Sequence, residues 1–113
     1  MKKLNIKKYY ISYRNYSKIY RNYKKILKIV KKNNGYKYNC LKLIEELNEL
    51  STVLAQSLTK KSDVKHIHEE LGDVQYRFDV LVEYFDKDVV NERKLTKASK
   101  SLSYLKTKKY EKI

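Results

Sequence analysis

Proline does not occur in this chain of 113 residues, and glycine occurs only at Gly35 and Gly72. These are the two residue types that most reliably break a helix. A chain almost without them, in stretches rich in Lys, Leu and Glu, is free to run as long helices, and the fold class it predicts is all-α. The same scarcity removes two ways of handling phosphate. Neither a glycine loop that cradles phosphates nor a dinucleotide fingerprint can be built from two isolated glycines. Phosphate chemistry, if the chain performs any, must then use metal ions. The length suits one domain over residues 1–113, divided into a basic N-terminal helix (1–34), a core (35–105) and a basic tail (106–113).

Hydrophobic periodicity places about four helices in a bundle. Ile6, Tyr9, Tyr13, Tyr16, Tyr20, Tyr23, Leu27 and Val30 recur at alternating intervals of three and four, which predicts one long helix over 4–32. Asn33-Asn34-Gly35-Tyr36 should stop it, with a loop of about five residues following. A second helix is expected from Asn39 to Leu58, with Leu43, Leu47, Leu50 and Leu54 as its apolar stripe. After a polar break at Thr59 to Lys61, Ser62 or Asp63 can cap a third helix whose seam is Ile67, Leu71, Val74, Phe78, Leu81 and Phe85. Asn91 can cap a fourth, carrying Leu95, Ala98, Leu102 and Leu105.

Charge is strongly segregated. The net charge is +14, and residues 1–44 hold 14 Lys+Arg and no acid, so the whole excess lies there. A/T-rich codon usage inflates Lys, Asn, Ile and Tyr together, but it does not remove Asp and Glu from one segment. Such an arm attracts polyanions. Its tyrosine seam, with hydroxyls that need water or a partner, has three possible uses: an oligomer contact, a platform for single-stranded nucleic acid through residues 1–34, or ordinary packing. No apolar run approaches the roughly 18 residues of a membrane span, and Lys or Arg interrupts Ile6 to Val30 too often for a signal-peptide core. A cytoplasmic protein without membrane contact is expected. Cys40, the single cysteine, can form no internal disulfide and is expected to be a small buried residue.

The candidate chemistry lies in acids on the second and third helices. Glu46 and Glu49, at i and i+3, share a face, with Glu45 one turn from Glu49. Glu70 and Asp73 repeat that spacing beside the seam residues Leu71 and Val74. If the two helices pack antiparallel, the four carboxylates converge at one edge, and like charges so close need a shared cation. Oxygen ligands without thiols suit Mg²⁺ or Mn²⁺. Gly72, inside a strong helical pattern, is expected to mark the close approach of a neighbour.

Glu45, Glu46 and Glu49, then Glu70 and Asp73 after a gap of 20 residues, resemble the EExxE…ExxD signature of the all-α nucleoside triphosphate pyrophosphohydrolases, the MazG-like superfamily, and most of all its short members often found in bacteriophages. The resemblance covers roughly Gly35 to Leu105. It implies Mg²⁺-dependent cleavage of a nucleoside triphosphate to the monophosphate and pyrophosphate. Glu46, Glu49, Glu70 and Asp73 match the family's metal ligands, and Glu45 matches an additional acid that orients water. Asn39, an amide six positions before the first Glu, and Lys42 stand as candidate substrate-binding residues. Lys94, Lys97 and Lys100 on the basic helix that follows are candidates for holding the phosphate tail. The resemblance further implies a homo-oligomer, dimer or tetramer, with the tyrosine seam as a candidate contact.

Competing readings of the same residues are concrete. The acids could form a solvated face, with Lys42 pairing Glu46 at i, i+4. His66 and His68, at i, i+2, point to different faces and read as surface or capping histidines. Ser51 and Thr52 lack the nearby base a nucleophile needs. Arg77 reads as an ion-pair partner of Asp73 or Glu70. The alternative for the whole chain is a non-enzymatic basic helical protein, binding nucleic acid or serving as an assembly subunit.

Overall fold

The structure, a computed structural model, describes residues 13–59 and 63–107. Every regular element in them is helical: α1 (Tyr13–Arg21), α2 (Tyr23–Asn34), α3 (Tyr36–Thr59), α4 (Val64–Val82) and α5 (Lys87–Thr107). The fold is all-α, as expected, with five helices rather than four.

The extra helix arises at Asn22, which divides the expected 4–32 helix. Its side-chain amide donates to the Lys18 carbonyl at 2.8 Å, and its backbone N–H is shared between the carbonyls of Lys18 and Ile19 at 3.2 and 3.1 Å. An asparagine side chain that takes the carbonyl one turn back competes with the ladder and bends it. The regular pattern resumes when the Ile26 N–H donates to the Asn22 carbonyl at 3.0 Å. The expected seam holds beyond this point, with Tyr23 and Val30 half-buried and Leu27 buried, and opens before it, with Tyr16 and Tyr20 exposed. Ile6, Tyr9 and the start of that helix lie outside the described residues, as do Lys60 to Ser62 and the tail from residue 108.

Gly35 alone separates α2 from α3, so the expected five-residue loop is absent. Its φ of +81° lies where a side chain would clash, and its N–H donates to the Lys31 carbonyl at 3.2 Å. Asn39 then anchors the first turn of α3, its Nδ2 donating to the Gly35 carbonyl at 2.9 Å. Asp63 caps α4, accepting the Lys65 N–H at 3.0 Å, in line with the sequence reading. At the next junction Asp86, not Asn91, is the cap. Its Oδ1 accepts from the N–H groups of Asp88 at 3.0 Å and Val89 at 3.3 Å, so α5 starts at Lys87, five residues earlier than a cap at Asn91 would place it.

Most interhelix packing is between the antiparallel α3 and α4, and α2 lies across both. The inward row of α3 is Asn39, Leu43, Glu46, Leu50, Val53 and Ser57; that of α4 is Ile67, Glu70, Val74, Arg77 and Leu81, continued by Tyr84 just past its end. Both rows keep the 3-4 spacing of a packed seam. They differ in phase from the expected stripes. Leu47, Leu54, Leu71, Phe78 and Phe85 stand exposed, and Glu46, Val53, Glu70, Arg77 and Tyr84 take the inward positions. Three hydrogen bonds fasten α2: Tyr23 Oη to Asp79 at 2.7 Å, Lys31 Nζ to the Glu83 carbonyl at 2.8 Å, and Tyr84 Oη to the Lys31 carbonyl at 2.8 Å. The buried apolar core among the described residues is Leu27, Leu43, Val53 and Val80. No residue of α5 is buried. Cys40, expected inside, is half-buried.

Gly72 departs from expectation, because a Cβ built there meets nothing within 4 Å. No close neighbour calls for the glycine, which weakens α4. Gly72→Ala should raise stability by about 1 kcal/mol, read as a higher urea midpoint with unchanged slope. A lower midpoint would mean that a neighbour does need the space.

Candidate metal centre

Glu46 and Glu49 on α3 and Glu70 on α4 each offer a carboxylate oxygen, and these oxygens lie within 4.8 Å of one another. The two helices converge here because Glu46 and Glu70 occupy inward seam positions, which a leucine would ordinarily fill. Glu70 is 7 % exposed. One oxygen of Glu46 and one of Glu70, Oε2 in each, are buried without a hydrogen-bond partner. A carboxylate oxygen in that state forfeits its hydration and gains nothing in return.

The electrostatics follow. Burial is the main cause that raises the Glu46 pKa above the glutamate range, with Asp73, Glu49, Glu70 and Glu45 adding repulsion. Burial likewise leads for Glu70, reinforced by Glu49 and Asp73 and opposed by His66. Asp73 is therefore close enough to act on the half-buried Glu46 and the buried Glu70, although it is exposed and its oxygens lie outside the tight group of three. The donor set fits a hard divalent cation: clustered carboxylates, two buried oxygens without partners, and no thiol.

Glu45 lies at the margin, its side chain half exposed and held by Lys42 at 3.3 Å. The solvated-pair arrangement weighed for Glu46 is thus realised at Glu45. Lys42 also sits over the Tyr38 ring, 5.6 Å from its centre. Asn39 is fully buried two turns before Glu46, about 10 Å along the helix, where its Nδ2 also meets the Tyr84 hydroxyl at 3.1 Å. Its Oδ1 has no partner. Lys94, Lys97 and Lys100 are exposed on α5, on which no other element packs closely, so the chain itself does not bring them to the acids. Arg77 pairs with neither Asp73 nor Glu70 among the described residues. It lies instead against the rings of Tyr76 and Tyr38, at 5.2 and 6.0 Å.

His66, read from the sequence as a surface or capping histidine, is exposed as expected but also meets Glu70. Its Nε2 is 3.3 Å from Glu70 Oε1. It also lines a cleft of about 450 Å³ beside the acids, with Asn48, Glu49, Thr52, Val53, Gln56 and Glu70. The available signal was its i, i+4 spacing to Glu70, which matters only once Glu70 is known to be buried. His68, on the other side, is exposed as expected. Compared with known proteins, the chain matches no family model, no curated protein and no solved structure.

Both glutamates bind protons more tightly in the fold than in the unfolded chain, so stability falls as pH rises through their raised range. Metal-free protein should lose thermal stability as pH rises above the ordinary glutamate range, and Glu70→Gln should flatten that loss. At neutral pH, Mg²⁺ at a hundredfold excess over its Kd should stabilise the wild type by about 2.7 kcal/mol. Glu70→Gln should respond far less. Equal Mg²⁺ responses in both proteins would remove Glu70 from any cation site.

Proposed function

We propose that the chain is a Mg²⁺- or Mn²⁺-dependent nucleoside triphosphate pyrophosphohydrolase, cleaving a ribo- or deoxynucleoside triphosphate to the monophosphate and pyrophosphate. The observation that carries this is the buried, unpartnered oxygen of Glu70 within a group of three glutamates drawn from two helices. The EExxE…ExxD order of the acids, with its resemblance to the MazG-like superfamily, supplies the reaction class.

Glu46, Glu49 and Glu70 would hold the cation, and Asp73, at the exposed edge, would complete its coordination as substrate arrives. The bound ion would neutralise phosphate oxygens and lower the pKa of an attacking water. The protein's own contribution is positioning. Packing of α3 on α4 confines the Glu46 and Glu70 side chains, and His66, 3.3 Å from one oxygen of Glu70, would steady that carboxylate. Glu45 lies on the turn beside Glu46 and can orient a water from outside the coordination shell. The cleft lined by Asn48, Thr52, Gln56 and His66 offers amide, hydroxyl and imidazole groups to the nucleoside.

Homo-oligomerisation belongs to the same proposal. Leu47, Leu54, Leu71 and Phe78 are between 40 and 46 % exposed, and Leu95, Leu102 and Leu105 of α5 more so. Rows of that kind are covered in stable assemblies. A second copy would also be the source of α5 lysines for the phosphate tail. No described helix is long and apolar enough to cross a membrane, and a nucleotide substrate fits a cytoplasmic protein, of bacterial or phage origin.

The test is pyrophosphate release from a panel of nucleoside triphosphates with Mg²⁺. Glu70→Ala and Asp73→Ala should each lower the rate by about a hundredfold or more, and Glu45→Gln by less. Absence of pyrophosphate with every triphosphate, in a folded protein that binds Mg²⁺, would rule the activity out.

A further inference from the structure

A second concavity lies on the other side of α4. At 100° per residue Asp79 points about 180° away from Glu70. It shares its face with Gly72, Gln75 and Tyr76, opposite Tyr20, Arg21, Tyr23 and Lys24 at the junction of α1 and α2. Together they line a groove of about 660 Å³. Three features give it a chemical character. Its walls carry three tyrosine rings, and that of Tyr20 is 74 % exposed and stacks on Tyr16 with centroids 6.4 Å apart. Its rim carries Arg21 and Lys24, both exposed and without an acidic partner among the described residues. The helices α1 and α2 hold eight Lys or Arg and no acid.

We propose that this groove binds single-stranded nucleic acid, with an unpaired base among the rings of Tyr20, Tyr23 and Tyr76 and the flanking phosphates on Arg21 and Lys24. Flat rings beside cations are what a strand with exposed base faces requires, and a duplex has no such face to offer. Gly72 leaves the floor open, while Gln75 and Asp79 present polar edges to a base. The Asp79 carboxylate accepts the Tyr23 hydroxyl at 2.7 Å and so fixes that ring in the wall. Its negative charge turns the phosphates outward, toward Arg21 and Lys24. The remaining cations of α1 and α2 extend the positive track beyond the length of a single nucleotide, which favours a strand over a mononucleotide. This activity is independent of the acid cluster.

Fluorescence anisotropy of the full chain with a labelled oligothymidine, an abasic strand of equal length and a duplex tests the proposal. The oligothymidine should bind at least about fivefold more tightly than the abasic strand, since stacking adds to charge. Its affinity should fall with salt at a logarithmic slope of about −0.7 per phosphate contacted, and Arg21→Glu with Lys24→Glu should reduce that slope by about 1.4. Tyr20→Ala should weaken binding by about fivefold or more, whereas Tyr20→Trp should retain it, which a folding defect would not allow. Glu70→Gln should leave strand binding unchanged. Equal affinity for the abasic strand or the duplex, or wild-type binding by Tyr20→Ala, would overturn the proposal.

Discussion

Two glutamates stand where a helix pair would normally bury leucines, and the structure depends on how that is tolerated. Glu46 and Glu70 interrupt the α3–α4 seam midway, so the apolar contacts fall into two short stretches on either side. Four buried polar atoms without partners lie along this seam: Asn39 Oδ1, Glu46 Oε2, Glu70 Oε2 and Arg77 Nη1. A seam selected for stability alone would replace them with apolar residues, because unpaired buried charge costs more than it returns. Protonation relieves part of the cost, and the raised pKa of both glutamates expresses that relief. A shared cation would relieve it without giving up the charge, which is why the seam reads as a site.

The same displacement explains what was legible beforehand. Helix existence followed from periodicity, and the acids were recognisable from their order and spacing. Stripe phase was less accessible. Leu43 and Leu50 belong equally to a row through Leu47 and Leu54 and to one through Glu46 and Val53, since the two rows diverge by a single residue of rotation. Hydrophobicity favours the leucine row, and only packing against α4 selects the other. On α4 the bulky Leu71 and Phe78 likewise outscore Glu70 and Arg77 in any count of apolar residues. The meeting of the exposed His66 with Glu70 is hidden for the same reason, because it matters only through a burial that the sequence does not announce.

Helix ends were decided by local competition among polar side chains. Asn22 diverts a carbonyl within what periodicity alone reads as one continuous helix, and Asp86 takes the capping position from Asn91 because it can accept two N–H groups directly after α4 ends. Gly35 is the clearer case, since one residue at positive φ, braced by Asn39, does the work expected of a loop. Asn39 then links this turn to Tyr84, and Tyr84 links back to Lys31, so the C-terminal ends of α2 and α4 are tied at one point. That tie lies two turns from the acids and holds the helix pair in register where they meet.

Charge segregation gives α4 two unlike sides. Toward α3 it contributes to a cluster that repels anions until a cation is present; toward α1 and α2 it borders a surface that attracts them. An anionic ligand approaching this chain is steered first by the basic side, whatever its destination, because that side dominates the long-range field. Entry to the acidic side needs a divalent ion to reverse the local sign, whereas residence on the basic side needs none. On the two proposals, binding at the two sides should respond oppositely to Mg²⁺: the ion would create the anion site at the carboxylates and, by screening, would weaken the one among the tyrosines.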